Sequence, residues 1–328
     1  MPSMNGKSLD RRSLLICALG AAALPRAASA QSWPNRPIQL VVHFPAGGIA
    51  DVGARALGDG LASLLGQPLV IDNRPGGGGL IGANLVAKAK PDGHTLLFAT
   101  NSPLSFAPIT HPNMPYDPVK DLVPIVPVAS YSLQVVVNNA LPIHSVADLI
   151  DYAKKHPGKL NYASPGIGSG IHFAVEHFKH VTGIQLTHVP YKGSSQLMTD
   201  LAGGYVQVTF DGAARSHIEA GRVRLIATTG PERDPRFPQT PTVHEAGVEG
   251  YKFVASQVLL GPRDLPQELV DRLNTASNEV LKDPKVRAYL AEQGLIVTGG
   301  SPKLITQEII EGIAENRRIA TAAKLVFE

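Results

Sequence analysis

The chemistry indicated by this sequence begins with a glycine pair, Gly47 and Gly48, in the loop at residues 44–51. The loop follows a strand-like apolar run at 38–43 and opens an amphipathic pattern at 51–65. Glycines at such a junction let the backbone turn sharply and bring its N–H groups close to a ligand. The loop lacks the lysine and the Ser/Thr of a phosphate-binding loop. We therefore expect it to hold a small anion by main-chain donors and the positive end of a helix.

A second glycine-rich loop, at residues 164–170, also separates a strand-like run from a helical pattern. It contains Ser164, Gly166, Gly168 and Ser169, so it combines a flexible backbone with hydroxyl groups at a helix start. In open α/β sheets, ligands bind beyond the carboxyl ends of the strands. The two loops could be ordinary turns. We favour the interpretation that they face each other and grip both sides of one small acid.

Two further motifs resemble cofactor or metal sites but lack a required feature. Residues 77–82 match the G-x-G-x-x-G nucleotide fingerprint, yet they follow a turn at 73–76, so we interpret them as a structural loop at the sheet's edge. His172, Glu176 and His180 share one helix face, but their spacing is one residue too long for H-x-x-E-H. A solvated polar face is favoured over weak metal binding, and His172 could instead face the ligand. We predict no cofactor and no metal.

A serine hydrolase would need a serine, a histidine and an acid that converge. The chain has no G-x-S-x-G motif, because Ser169 lies one position late in its glycine loop. We predict no catalytic residue and keep a secreted ester or amide hydrolase as the alternative function. Asp51 and Asp211 each follow a predicted strand, where a carboxylate usually caps a helix. The cap is favoured for Asp51, whereas Asp211 could equally contact a ligand hydroxyl or ammonium.

The first 30 residues have the three parts of a signal peptide. Arg11 and Arg12 precede an apolar run that ends near Pro25, and residues 28–30 supply the small-x-small cleavage pattern. The apolar run is too short to span a bilayer. The paired arginines resemble a twin-arginine export signal, with a Sec signal as the alternative. We therefore predict a signal peptide at 1–30 and export to the periplasm.

The predicted leader carries the surplus positive charge and the single cysteine of the chain, Cys17. It contains four of the 30 Lys and Arg residues and one of the 27 Asp and Glu residues, so residues 31–328 contain 26 of each. A formally neutral protein gives no reason to expect nucleic acid or an anionic membrane as a partner. Without a further cysteine, disulfides cannot stabilise it, and its stability must come from packed cores.

Short apolar runs alternate with helical patterns through most of the chain, and the last third is mainly helical. This alternation predicts an α/β fold with open, mainly parallel sheets covered by helices. The chain is long enough for two domains. We expect two lobes joined by crossing strands near 131–135 and 251–259. The predicted bounds are 31–133 plus 256–328 for lobe 1, and 134–255 for lobe 2.

Seven motifs in a fixed order carry a family resemblance over residues 33–298. They lie at residues 44–51, 73–76, 91–97, 116–121, 161–170 with His172, 188–193 and 241–247. With these motifs the chain closely resembles the periplasmic substrate-binding proteins of tripartite tricarboxylate transporters, the Bug family. The resemblance implies a non-enzymatic, two-lobed Venus-flytrap receptor. Such a receptor holds a small carboxylic acid between its lobes and works with a membrane permease, and we expect a monomer.

The resemblance also implies which residues contact the ligand. Main-chain groups of the two glycine loops grip one carboxylate, and the segments around Ser102 and after Phe210 line the cleft. The expected ligand-binding residues are Phe44, Ala46, Gly47, Gly48, Asp51, Ser102, Ser164, Gly166, Gly168, Ser169, His172, Asp211, Arg215 and Gln257.

Two departures from the family pattern lie where the distal end of a ligand would sit. The second crossing strand lacks its usual aromatic residue around Gln257, and Arg215 stands where members are commonly uncharged. Arg215 follows Asp211 by four residues. It is therefore predicted either to form an intrahelical ion pair with Asp211 or to bind a second carboxylate of the ligand. The sequence does not identify the acid.

Overall fold

A computed structural model describes residues 33–322 and 324, so the predicted signal peptide lies outside the described residues. The described chain forms two β-sheets. The strands are β1 (Ile38–Val42), β2 (Leu69–Asn73), β3 (Thr95–Thr100), β4 (Leu122–Ser132), β5 (Gln134–Asn138), β6 (Asn161–Ser164), β7 (Thr187–Pro190), β8 (Val208–Asp211), β9 (Val223–Thr228), β10 (Val254–Pro262) and β11 (Ile296–Val297). One sheet has the strand order β11-β4-β10-β3-β1-β2, and the other has the order β7-β6-β8-β5-β9.

Helices follow most of the strands and cover the sheets. They are α1 (Ile49–Leu65), α2 (Leu80–Ala87), α3 (Ala107–Thr110), α4 (Val146–Lys155), α5 (Gly170–Thr182), α6 (Ser194–Gly203), α7 (Arg215–Glu219), α8 (Gln267–Lys282), α9 (Pro284–Glu292) and α10 (Pro302–Ala322). The remaining helical segments are a short 3₁₀ helix at Gly77–Gly79 and a π-helical turn at Ser102–Phe106. Among the described helices, none is long and apolar enough to cross a membrane.

Most strands of each sheet run in one direction. β1 pairs in parallel with β2 and β3, and β6 pairs in parallel with β7 and β8. β10 runs antiparallel between β3 and β4, and β5 runs antiparallel between β8 and β9. The predicted α/β fold, with two lobes and mainly parallel sheets, is therefore confirmed.

The chain crosses between the two sheets twice. β4 ends at Ser132 and β5 begins at Gln134, so a single residue, Leu133, connects the sheets on the outward path. The chain returns through residues 229–253 and enters the larger sheet again with β10. Because β10 pairs with β4 along its whole length, the two crossings lie side by side.

Each sheet has its own apolar contacts with helices. Leu57 and Leu61 of α1 are fully buried in one core with Leu40 of β1. In the smaller sheet, Phe178 of α5 meets Phe210 of β8 edge to face, with ring centroids 5.3 Å apart. Complete burial of one such side chain contributes about 1.5–3 kcal/mol, so the amphipathic helices hold the strand ends, and the loops that follow them, in place.

The glycine run after the edge strand β2 lies at the interface between the lobes. A Cβ on Gly78 would come within 2.6 Å of the carbonyl oxygen of Ile167 and 3.1 Å of the nitrogen of Ser169, both in the second glycine loop. Gly78 also has a φ of +62°, which favours glycine. This run is thus a structural loop that lets the two lobes approach closely.

We expect Gly78→Ala to hold the lobes apart, because the added methyl group would overlap the backbone at Ile167. Gly66→Ala is the matched control: Gly66 has a φ of +71°, but nothing lies within 4 Å of a Cβ at that position. Both substitutions carry a backbone cost of about 1–2 kcal/mol. Small-angle scattering should show a larger radius of gyration for Gly78→Ala alone, and equal radii would mean that this contact does not limit closure.

Candidate ligand-binding site

The first glycine loop joins β1 to α1, and Asp51 holds its shape. Gly47 has a φ of +80°, which favours glycine, and its N–H donates to the Asp51 carboxylate at 3.0 Å. Arg55 and Asn73 donate to the same carboxylate at 2.9 and 3.0 Å. Burial opposes ionisation of this group, but the hydrogen bonds outweigh burial and lower the pKa of Asp51. Asp51 therefore braces the loop, and the N–H of Gly47 is engaged by it.

A side chain of the crossing strand β10, Gln257, contacts the start of α1. Gly48 is the N-cap residue of α1, and the N–H groups of the first turn have no acceptor within the helix. Gln257 is fully buried, and its Nε2 donates to the carbonyl oxygen of Ile49 at 2.8 Å. A Cβ on Gly53 would lie 2.0 Å from the Gln257 Oε1. Gln257 thus lies under the helix and fixes the direction of its first turn.

The second glycine loop joins β6 to α5, and two histidines support it from behind. The hydroxyl of Ser169 caps α5 by accepting the His172 N–H at 3.2 Å, and the Nδ1 of His172 accepts the Gly168 N–H at 3.1 Å. The His172 ring stacks on His188 with centroids 4.0 Å apart, and the His188 Nε2 lies 2.7 Å from the Ser164 Oγ. Burial lowers the pKa of His172 to about 3 and that of His188 to about 4. Both rings are therefore neutral at pH 7, as these contacts require.

A cavity of about 30 Å³ lies between the two loops, with room for one or two water molecules. The first turns of α1, α5 and α6 all reach it, and each brings the positive end of a helix. Among its described lining residues, Asp211 is the one Asp, Glu, Lys, Arg or His side chain. The lining residues are Phe44, Pro45, Gly48, Ile49, Ala50, Asn101, Ser102, Tyr131, Leu133, Pro165, Ser169, Gly170, Ile171, Ser194, Ser195, Asp211, Gly212, Phe253 and Ala255.

Ser102 bridges the two lobes at this cavity. Its Oγ accepts the N–H of Gly170, the first residue of α5, at 2.9 Å. The Thr100 hydroxyl holds Ser102 in place, because its Oγ1 accepts the Ser102 N–H at 3.3 Å and lies 3.0 Å from the His43 Nε2. Burial lowers the pKa of His43 to about 4, so this ring is neutral as well. The Ser102 oxygen therefore occupies the position at a helix start that an anion would take.

Helix α6 contributes a helix start that the sequence analysis did not assign to the site. Ser194, its first residue, donates its hydroxyl to the Asp211 carboxylate at 2.7 Å, and Ala213 donates its N–H at 2.7 Å. Burial raises the pKa of Asp211, and these hydrogen bonds partly offset the effect. The sequence does carry a signal for this helix start, because Gly193 and two serines stand between a strand-like run and a helical pattern, as in the two glycine loops.

The predicted ion pair between Asp211 and Arg215 is wrong. Asp211 ends strand β8, and α7 begins only at Arg215, so the two residues do not share a helix. The Arg215 Nε instead donates to the Glu219 Oε1 at 2.6 Å, and its Nη1 donates to the carbonyl oxygen of Glu292 in the other lobe. Arg215 lies in a crevice that shares the wall residues Ile49 and Gly212 with the central cavity.

The predicted contact residues thus divide into two groups. Those that line the cavity are Phe44, Gly48, Ser102, Ser169 and Asp211. Those that lie behind it or at its rim are Ala46, Gly47, Asp51, Ser164, Gly166, Gly168, His172, Arg215 and Gln257. Within the second group, Asp51 and His172 accept N–H groups of the two glycine loops, and Gln257 donates to the first turn of α1.

The structure supports neither a metal centre nor a hydrolase site in the part of the chain that it describes. No group of three His, Cys, Asp or Glu side chains there could hold a metal ion. Ser164 lies against His188, but Ser164 is fully buried and outside the cavity, and its hydroxyl also donates to the Gly166 carbonyl oxygen at 3.1 Å. A substrate in the cavity could not reach it, so the hydrolase alternative has no support.

We expect the protein to lose stability as the pH falls from about 6.5 to about 4. The pKa values of His43, His172 and His188 are lowered to about 4, 3 and 4 in the folded state, from 6.5. The unfolded chain therefore binds more protons than the folded chain in this window. As the pH falls, the free energy of unfolding decreases by up to about 1.4 kcal/mol per pH unit for each histidine. Asp211 acts in the opposite direction, because its folded pKa is raised.

Urea unfolding at pH 7.5 and pH 5 measures this effect. His188→Gln should make the free energy of unfolding less dependent on pH, because it removes one buried neutral ring. His156→Gln is the control, since His156 is exposed. The same pH dependence in both variants would show that the stacked histidines do not govern acid stability.

The chain is similar to known proteins of one family. Residues 53–325 match the sequence profile of the tripartite tricarboxylate transporter family receptor. A protein from the gbd 5′ region of Cupriavidus necator is 38% identical over 276 residues, which is 84% of each chain. BugT of Bordetella pertussis is 37% identical over 281 residues, or 84% of this chain and 86% of BugT.

Solved structures agree with these matches. Rpa4515 of R. palustris with adipate has a TM-score of 0.87 and 38% identity, over 90% of this chain and 99% of that one. MatC from Rhodopseudomonas palustris with bound malate has a TM-score of 0.84 and 30% identity, over 88% and 99%. The family consists of periplasmic solute receptors and not enzymes, which confirms both the resemblance and the non-enzymatic class. This chain belongs to the receptor family of the tripartite tricarboxylate transporters, the Bug proteins.

Proposed function

We propose that this protein captures a small carboxylic acid between its lobes, in the periplasm, and delivers it to the membrane permease of a tripartite transporter. One observation carries the proposal: the first turns of α1, α5 and α6 converge on one cavity. Unpaired N–H groups and helix dipoles at such positions favour an anion. The adipate and malate bound by the related Rpa4515 and MatC support the same class of ligand.

In this proposal a ligand carboxylate takes the N–H groups at the starts of α1 and α5, together with the hydroxyls of Ser102 and Ser194. No Lys or Arg is among the described residues that line the cavity. Each helix end contributes about 0.3–1 kcal/mol, or up to about 2 kcal/mol when partly buried. Micromolar affinity needs about −8 kcal/mol, so hydrogen bonds and close packing of the lobes around the ligand must supply the rest.

Ligand entry requires the lobes to part, because a cavity of about 30 Å³ is smaller than a four-carbon acid. The paired crossing strands β4 and β10 supply the hinge for such a motion. We further propose the lobe bounds 31–133 plus 256–328 and 134–255, a cleavable leader at 1–30, and a monomeric receptor. Arg215 would act on ligand binding from the rim, where it joins the two lobes through the Glu292 carbonyl oxygen.

A thermal-shift screen of carboxylic acids and their matched amides tests the ligand class. We expect an acid in the screen to raise the melting temperature by several degrees, because a ligand at 100 times its Kd stabilises the folded state by about 2.7 kcal/mol. The amide should have no effect, because it lacks the charge that the helix starts favour. Equal stabilisation by an acid and its amide would refute an anion site.

We expect Gly48→Asp to abolish binding while the protein stays folded. Gly48 is the N-cap of α1 with a φ of −81° and a ψ of 168°, and an aspartate in this conformation accepts the N–H groups of the first turn. It would place its own carboxylate where the ligand carboxylate binds. Two like charges 4 Å apart repel by about 4 kcal/mol near a protein surface, so affinity should fall at least a hundredfold by calorimetric titration.

Gly48→Ala is the control for this substitution. A Cβ at Gly48 has only an ordinary contact, 3.6 Å from the Pro45 carbonyl oxygen. The alanine variant should therefore keep most of the affinity, and both variants should have wild-type circular dichroism. Retained affinity in a folded Gly48→Asp protein would mean that the start of α1 does not bind the ligand.

A further inference from the structure

A second, larger cavity lies at the hinge and plays no part in the function proposed above. It measures about 610 Å³, within the size range of small-molecule sites. Its walls come from the end of β4, the start of β10, residues 230–236, helix α9 and strand β11. We name it the hinge groove. Because residues 230–236 follow the smaller sheet and α9 packs with the larger one, the groove has walls from both lobes.

The floor of the hinge groove is apolar and open to solvent. Val254 of β10 pairs with Ser132 of β4, and Ile296 of β11 pairs with Ser130 on the other side of the same strand. These two apolar residues are 43% and 64% exposed. A concave surface that exposes large apolar side chains on neighbouring strands is typical of a binding site.

Three arginines line the groove, and their partners differ. Arg233 pairs with Glu245 at 2.9 Å, and Arg236 pairs with Asp234 at 2.5 Å. Arg287 of α9 donates to the carbonyl oxygen of Leu281 at 3.3 Å, and no carboxylate among the described residues pairs with it. Arg287 is therefore the guanidinium in the groove that remains available for an anion.

We propose that the hinge groove binds an amphipathic organic anion, with its carboxylate on Arg287 and its apolar body against Val254 and Ile296. A guanidinium suits a carboxylate because it can donate two parallel hydrogen bonds. The apolar floor adds the burial of a hydrocarbon chain or ring, which small polar acids such as malate lack. The groove thus differs from the central cavity in the kind of acid that it selects.

The groove is connected to the central cavity by direct contacts. Tyr131 lines both. The buried Gln134 lies between them. With its amide oriented so that both atoms find a partner, its oxygen accepts from the Arg236 Nη2 at 2.9 Å and its nitrogen donates to the Asp211 carbonyl oxygen at 2.7 Å. Since the groove has walls from both lobes, its shape depends on their closure. An anion in the groove should therefore change affinity in the central cavity, and the reverse change must be equal.

Calorimetric titration of octanoate into the Gly48→Asp protein tests the groove separately from the central cavity. We expect saturable binding of octanoate and at least tenfold weaker binding of octanamide. Arg287→Gln and Ile296→Asp, each added to Gly48→Asp, should weaken octanoate binding at least tenfold. Arg287→Lys, which keeps the charge, should lose less than Arg287→Gln.

Lys285→Gln is the matched control, because Lys285 is an exposed cation two residues away on the same helix and does not line the groove. It should leave octanoate affinity unchanged. Absence of saturable octanoate binding in the Gly48→Asp protein would overturn the proposal. Equal losses for Arg287→Gln and Lys285→Gln would overturn it too. Neither result depends on whether the central cavity binds a small acid.

Discussion

The N–H groups in the first turn of a helix have no acceptor within that helix, and the site of this receptor is built from that constraint. Three helices, α1, α5 and α6, begin at one cavity. Their N–H groups can face it only if the loops before them keep a fixed direction. Polar side chains of the site therefore form hydrogen bonds to the loops. Asp51 accepts the Gly47 N–H, His172 accepts the Gly168 N–H, and Asp211 accepts the Ser194 hydroxyl.

These side chains explain why so much of the fold, and only part of the site, could be predicted from the sequence. The two glycine loops and their helices were predicted, because a strand, a glycine turn and an amphipathic helix are encoded by neighbouring residues. The roles of Asp51, His172 and Gln257 as supports were harder to predict, since the direction of a side chain depends on distant partners. Gln257, for example, reaches the carbonyl oxygen of Ile49, 208 residues away.

The errors have the same physical origin. A spacing of four residues predicts that Arg215 pairs with Asp211. In the structure Asp211 ends a strand and Arg215 begins a helix, so Arg215 donates to the Glu292 carbonyl oxygen instead. Strand β4 was predicted only at its end, near 131–135. It contains Pro124 and Pro127, which lack the N–H of a regular ladder, and the structure places register shifts opposite them in β10.

The N–H donors that face the cavity come from both lobes, so the proposed binding and release of a ligand would both depend on how the lobes are arranged. The Gly170 N–H of one lobe donates to the Ser102 oxygen of the other, so a contact between the lobes satisfies one donor at a helix start. In the proposed complex a carboxylate would accept donors from three helix starts, which a single hydroxyl cannot do. If the lobes then parted, the donors of α1 would separate from those of α5 and α6, and the anion would keep only some of them. A cation buried on one lobe would hold the acid in the open state as well. If the cavity binds its ligand as proposed, affinity would depend on closure, so the receptor could bind its solute tightly and still release it when the lobes part.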